Sequence, residues 1–398
     1  MSGEPGRGRW GGPSGRLFAY RLLSRAYFHL PVLLVFLYLQ GHSIGVIEAL
    51  LAAHGVSMLL SGPLVRRITA ALGPVAALRI GEAAKAVGLI LLSQARPGDV
   101  LLPLLGQVIN GGGFALTSSV ENTLAAKFEP DADRRSRLQA ATQSWIFGVV
   151  LVSGLAGAVL FQDSPRLVFL LSAVASGLSL LLTLSLPAVP AEAPQAASPA
   201  AAARPALRAW GWALYYVIVR SVTLGSFIGL LPLLLYVDLK LSLPVFGLLL
   251  ALFNVAAFLV ARYLGLLLAR GRQVGLFVAT TGLLCASLLL LATRSDVPSV
   301  SVAIALLGLG SGAARPLTLQ GLESVPEADR QWLYPRLERF TGAGVSALVI
   351  VIGLGLSAVS TQTLLFSFGA AVLGAGLLLA RVMAASPAPV LSEKGGKS

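Results

Sequence analysis

Residues 187–208 read PAVPAEAPQAASPAAAARPALR, and they divide the chain. Five prolines among so many alanines cannot form a membrane-crossing helix, and the composition suits a flexible linker. On either side the pattern reverses. Apolar runs of ~20 residues, the length a helix needs to cross the hydrocarbon core, alternate with short polar turns. Six such runs precede the linker, near 19–40, 43–65, 74–94, 100–124, 139–161 and 166–186. Six follow it, near 209–236, 243–268, 273–293, 298–322, 339–359 and 362–384. The implied organisation is a tail at 1–18, a six-helix bundle at 19–186, the linker at 187–208, a second bundle at 209–384 and a tail at 385–398.

Composition agrees. Of 398 residues, 56% are hydrophobic and only 12% charged, with mean hydropathy +0.82. A soluble chain has about twice that charged share, and one soluble core stops growing well below this length. A soluble enzyme and a disordered protein are thereby excluded. The continuous apolar runs exclude a β-barrel, whose strands of ~10 residues alternate in polarity. The expected fold class is an all-α membrane protein with 12 transmembrane helices. The first 16 residues hold no apolar core or cleavage site, so the first span is expected to serve as the targeting signal. The excess of Arg over Lys, with much Ala, Leu and Gly, points to a GC-rich bacterial source.

The basic residues orient the chain. Of the 30 Lys and Arg, 21 fall in the tails and alternate loops on one side and 4 (Arg96, Arg166, Lys240, Arg294) on the other. That bias assigns both termini to the cytoplasm, and a multi-pass protein of the bacterial cytoplasmic membrane is expected. The net charge of +13 then reflects topology, and no nucleic-acid partner is implied. A monomer is expected.

The halves also match each other. Pro130-Asp131-Ala132-Asp133-Arg134 follows the fourth span, and Pro326-Glu327-Ala328-Asp329-Arg330 follows the tenth. Gly111-Gly112-Gly113 precedes the first motif and Gly308-Leu309-Gly310-Ser311-Gly312 the second, while Leu30-Pro31 pairs with Leu231-Pro232. Matches in register argue for a duplicated six-span unit in pseudo-twofold arrangement.

Two six-span repeats, a central linker and cytoplasmic termini resemble the major facilitator superfamily over nearly the whole chain. Gly62-Pro63-Leu64-Val65-Arg66-Arg67 resembles that family's Gly-x-Leu-Ala-Asp-Arg gate motif, with Gly62, Leu64 and Arg67 matching and Arg66 at the acidic position. Gln107 through Ala115 resembles the fourth-span motif of family antiporters, with Gln107 in place of its arginine. Gly148, Gly154 and Gly157 echo the fifth span of family exporters. The resemblance implies alternating-access transport by a secondary transporter, and no enzyme activity.

Ionisable groups inside spans mark candidate chemistry, because lipid makes them costly. Glu48 and Glu121 are the first proton-coupling candidates, since burial favours a neutral carboxyl. His54 is the third. A structural hydrogen bond is the alternative for Glu48, and pairing with a cytoplasmic arginine for Glu121. Arg220 is a candidate for binding an anion or balancing a buried glutamate, and Arg315 for cavity lining or for holding the carbonyls freed by Pro316. Gln107, Asn110, Asn254 and Gln143 are further cavity candidates, with Tyr215, Tyr216 and Phe227 as contacts to a solute. Trp145, Trp210 and Trp212 suit the membrane interface. Arg79, Glu82 and Lys85 share one helix face and read as a charge ladder.

With three histidines and Cys285 as the one cysteine, no metal site is expected, and no disulfide within the chain. No P-loop is present, so ATP is not the expected energy source, and no cofactor is implied. The expected function is proton-coupled export of a small organic molecule, drug-like compound or metabolite. Uptake or uniport of a nutrient is the same-class alternative, and a receptor or enzyme on a transporter-like scaffold the other.

Overall fold

The computed structural model describes residues 12–190, 206–268, 273–323, 325–356 and 358–385. Most of the expected linker (191–205), the loop arginines Arg7, Arg9, Arg204, Arg270 and Arg272, and the C-terminal Lys394 and Lys397 lie outside the described residues.

Every regular element among the described residues is helical. The first span is split into α1 (Pro13–Leu23) and, after a 3-10 turn at Leu30–Val32, α2 (Leu33–Leu39). Then come α3 (Ile44–Leu60), α4 (Gly62–Leu72), α5 (Pro74–Ser93), α6 (Leu101–Phe128), α7 (Ala132–Leu160) and α8 (Pro165–Thr183). The second half runs through α9 (Leu207–Gly225), with π-helical turns at Ser226–Leu230 and Leu233–Asp238. It continues through α10 (Leu243–Leu268), α11 (Gln273–Thr293), α12 (Val297–Glu323), α13 (Glu327–Gly355) and α14 (Thr361–Ala385).

Local chemistry sets the helix starts. Proline stands in the first turn of α1, α4, α5 and α8, where its missing N–H has no intrahelical partner to lose. Asp131 caps α7, accepting from the Arg134 amide at 2.8 Å. Asp296 accepts from the Ser299 amide at 3.0 Å where α12 begins, and hydrogen bonds from Ser299 hold its carboxyl below the usual carboxylate range. Gly73 makes the turn between α4 and α5 at φ 83°, a conformation that needs no Cβ.

Seven helical segments are long and apolar enough to cross a membrane outright: those on α7 to α12, with α9 extended to Asp238, and α14. The α3–α4 pair, bent by 49°, makes an eighth. The first span, α5, α6 and α13 complete the twelve. They fall short for a physical reason: the first is broken, α5 carries Arg79, Glu82 and Lys85, α6 carries Gln107, Asn110 and Glu121, and α13 has a shorter apolar stretch, Arg339–Gly355. The second span is expected at 43–65, but its membrane helix ends at Leu60.

The packing repeats between halves. The neighbours α3–α6, α5–α6, α5–α8, α1–α8 and α1–α6 correspond to α10–α12, α11–α12, α11–α14, α9–α14 and α9–α12. The halves meet along α3–α13 and α7–α10, which are equivalent pairs under the same pseudo-twofold. Glycines allow the close approaches. Gly111 of α6 sits on the His54 backbone of α3, and Gly308 and Gly312 of α12 sit on the Phe253 and Ala257 backbone of α10. At the end away from the described chain termini, α2 packs on the π-helical turns of the seventh span, burying Leu34, Leu37, Leu230, Leu231 and Leu235.

Candidate functional site

Between the halves lies a cavity of about 280 Å³. The break after α1 opens its wall to polar chemistry. In lipid every backbone polar group needs a partner within the protein, and a helix end leaves carbonyls free. Lys85 of α5 supplies one: its Nζ donates to the Ser24 carbonyl at 3.0 Å and to Ser24 Oγ at 2.8 Å. Lys85 also pairs with Glu82 Oε2 at 3.0 Å. Glu82 Oε1 accepts from Tyr20 at 2.8 Å and from Ser24 Oγ at 2.6 Å. Glu82 and Lys85 thus pair along one helix face as expected, but at 0% and 1% exposed they form an internal strut that also ties down the end of α1.

A second network lines the cavity directly. Glu121 of α6 receives Arg21 Nε at 3.1 Å on Oε2 and Arg25 Nη2 at 2.9 Å on Oε1. All three side chains are buried. The Arg25 guanidinium also lies 4.7 Å above the Phe114 ring, a cation–π geometry. Counted from sequence among the orienting charges of the N-terminal segment, Arg21 and Arg25 are instead buried inside the protein at the cavity wall. The pairing arises because α1 and α6 pack together, one hundred residues apart in sequence.

The opposite wall carries Arg220 of α9 and Arg315 of α12. Arg220 Nη1 reaches Ser311 Oγ at 3.4 Å, and its buried Nε has no hydrogen-bond partner among the described residues. Arg315 Nη1 donates to Gln143 Oε1 of α7 at 2.9 Å, a bond between the two halves. Gln107, Asn110, His54, Asn254 and Gln143 all line the cavity, with Phe227 tilted against Phe253 at 4.9 Å between ring centroids.

Glu48 lies elsewhere. It is 1% exposed, and neither carboxylate oxygen has a hydrogen-bond partner among the described residues. A Cβ on Gly229, in the π-helical turn of the seventh span, would come within 3.1 Å of its Oε2, and one on Gly353 of α13 within 2.7 Å of its Cβ. Glu48 therefore plugs the seam between the halves at the end away from the described termini.

Several expected residues fall in other places. Tyr215 and Tyr216 are buried in the second-half core rather than at the cavity wall. The Tyr215 hydroxyl meets Thr281 Oγ1 at 3.1 Å. Trp212 is also buried, packed against Phe277, whereas Trp145 and Trp210 are exposed as interface residues would be. The gate-motif residues Gly62, Leu64, Arg66 and Arg67 are on helix α4, not in a loop, with Leu64, Arg66 and Arg67 exposed. Sequence reasoning missed Arg21, Arg25, Tyr27, His29 and Phe253 as cavity residues. The available signal was the i, i+4 spacing of Arg21 and Arg25 inside an otherwise apolar run. Among the described residues no three His, Cys, Asp or Glu side chains converge as a metal site requires.

Residues 22–331 match the sequence profile of the Major Facilitator Superfamily. The chain belongs to that family. Solved structures agree on the fold. The nucleoside transporter NupG superposes with TM-score 0.70 at 14% identity, covering 93% of this chain and 99% of its own. The human organic anion transporter MFSD10 (TETRAN) gives 0.69 at 14%, covering 92% and 98%. A mutant of the peptide transporter POT gives 0.70 at 15%, covering 96% of each. No curated protein sequence matches the chain. Family membership makes this a multi-pass membrane transporter fold of twelve helices, built to bind small molecules rather than to catalyse a reaction.

Proposed function

We propose that the chain is a secondary active transporter that exports a small organic solute in exchange for protons. It would act as a monomer in a bacterial cytoplasmic membrane with both termini inside. The bundles, 19–186 and 209–384 joined by 187–208, would rock about the cavity and expose it to each side in turn. The observation that carries the coupling is Glu48: a buried carboxyl without a hydrogen-bond partner among the described residues, wedged where α3 meets α13 and the seventh span. An ionised carboxylate there would be strongly unfavourable, so this packing selects the neutral form. Parting the seam would admit water and let the proton go. A proton that stabilises one conformation over the other is what drives a cycle. Glu121 is the weaker candidate, because protonation would break its two ion pairs. His54 lies on the cavity wall, 6.0 Å from the Phe114 ring, and would serve as lining.

The test uses inside-out vesicles with a pre-formed acid interior and a pH-sensitive dye. A panel of organic acids, sugars, peptides and cationic drugs is added in turn. Collapse of the gradient by one compound, lost in Glu48→Gln, supports proton-coupled export. Collapse that survives Glu48→Gln defeats the role of Glu48. Solute movement without any proton movement defeats the coupling.

A further inference from the structure

The cavity is unbalanced in charge. Arg21, Arg25, Lys85, Arg220 and Arg315 face it. Against them, among the described residues, stand Glu121 and, behind Lys85, Glu82. Lys85 is matched by Glu82, but two arginines share Glu121. Arg220 has no carboxylate within ion-pair distance among the described residues, only the Ser311 hydroxyl at 3.4 Å and an unpartnered Nε. Arg315 is already engaged, with Gln143 among its partners, so the uncompensated charge is that of Arg220 and of the arginine pair that shares Glu121. Glu48 does not restore the balance. It touches Gly229, nine residues beyond Arg220 on the same span, or ~13 Å along a helix at 1.5 Å per residue.

We infer that the solute is a small organic anion, and that Arg220 is its anchor in the cavity. The inference rests on the transport reading above and names the substrate class for the same site. A guanidinium in a membrane interior is stable only with a compensating charge or a full set of acceptors. An anion entering the cavity supplies both. The planar fork of arginine matches a carboxylate, sulfonate or phosphate ester in two parallel hydrogen bonds. Ser311, one helical turn before Arg315 on α12, brings the second cation to the same region. The body of the solute would lie on Phe227, Phe253 and Leu224, which give the cavity an apolar side. The volume, about 280 Å³, lies just below the range of ligand pockets, roughly 300 to 1,000 Å³. It suits a metabolite-sized acid rather than a bulky drug. A neutral or cationic solute would leave the imbalance in place.

The full-length protein, purified in detergent, tests this. Its unfolding midpoint is followed against alkyl and aryl carboxylates from acetate to hydrocinnamate, against the matching primary amides and amines, and against chloride alone. The expected result is stabilisation by one or more carboxylates and by none of the amides or amines. Arg220→Gln is expected to weaken the response at least tenfold in concentration, and Arg220→Lys, which keeps the charge, to weaken it less. The inference is overturned if no carboxylate acts, if an amide or amine acts as strongly as its acid, or if Arg220→Gln responds as the parent does. It is also overturned if chloride alone gives the whole effect, since the site would then hold only a structural counter-ion. Counterflow in proteoliposomes separates this from the broader reading. A carboxylate that binds through Arg220 but never exchanges would defeat transport and leave the anion site. A neutral solute that exchanges with unchanged affinity in Arg220→Gln would defeat the anion site and leave transport.

Discussion

The two halves share one packing plan and fill it differently. In the first, the space among α1, α5 and α6 holds Arg21, Arg25, Glu82, Lys85 and Glu121. In the second, the corresponding space among α9, α11 and α12 holds Trp212, Tyr215 and Phe277, with the Tyr215–Thr281 bond as its polar contact. The same helix pairs touch in both. The fold therefore does not require charges at that place. Buried ion pairs often stabilise no better than apolar side chains of equal volume. The first half thus keeps buried ion pairs that the packing plan does not call for, while the second half brings charge to the cavity face, as Arg220 and Arg315.

The sharpest way to break this contrast is to remove Glu121. Glu121→Ala leaves Arg21 and Arg25 buried without their shared counter-charge, and loss of one member of a buried pair costs about 3–5 kcal/mol. Thr281→Ala, at the matching place in the second half, removes two neutral hydrogen bonds, to the Tyr215 hydroxyl and the Phe277 carbonyl, and should cost less, about 1–3 kcal/mol. Thermal unfolding of both variants in detergent checks the order. Equal losses would mean that the charged network carries no special burden.

The next effect concerns the strut. Glu82→Ala and Lys85→Ala should each lower stability by several kcal/mol, by the same unpaired-charge argument. The double replacement Glu82→Leu with Lys85→Met should cost less than either single change, because no charge is stranded. A double-mutant cycle measures the difference. Additive losses would show that Lys85 matters chiefly for the Ser24 carbonyl, which Met cannot satisfy.

Glycine contacts should behave alike in both halves. Gly111→Ala presses a methyl on the His54 backbone, and Gly312→Ala presses one on the Ala257 backbone. Overpacking of this kind costs about 1–3 kcal/mol. Unequal losses would show that one half is looser than the pseudo-symmetry implies.

What the sequence made legible follows the same division. The twelve spans and the duplication were readable because lipid imposes long apolar runs, and because PDADR and PEADR stand where α7 and α13 begin. The cavity wall was readable in part, since Arg220, Arg315, Gln107, Asn110 and Asn254 interrupt apolar runs. Arg21 and Arg25 were not. A charge near a span end looks the same whether it points to water or inward, and only the fold brings Glu121 to it. Tyr216 was misplaced for a related reason: one residue on a helix turns a side chain by about 100°, enough to move it from cavity to core. Trp212 likewise sits on the core side of the helix that holds Trp210 at the surface.

The smallest expected effect tests the gate segment, where the chain carries Arg66 in place of the family's acid. Arg66 of α4 stands near Arg336 and Arg339 of α13, and desolvation and then Arg66 hold the Arg336 guanidinium below its ordinary range. A lowered value on a cation means its charged form is disfavoured there. The Arg339 guanidinium also lies close over Gly62, so the halves approach here with like charges facing. Arg66→Asp should turn that repulsion into attraction and raise the unfolding midpoint slightly. The gain should stay under about 1 kcal/mol, because exposed ion pairs contribute little, and it should fade in high salt as the Debye length falls to ~3 Å at 1 M. Transport should slow if opening this end limits the cycle, since the new attraction must be broken at each turn. A midpoint that falls, or a gain indifferent to salt, would show that Arg66 is balanced by something other than the arginines of α13.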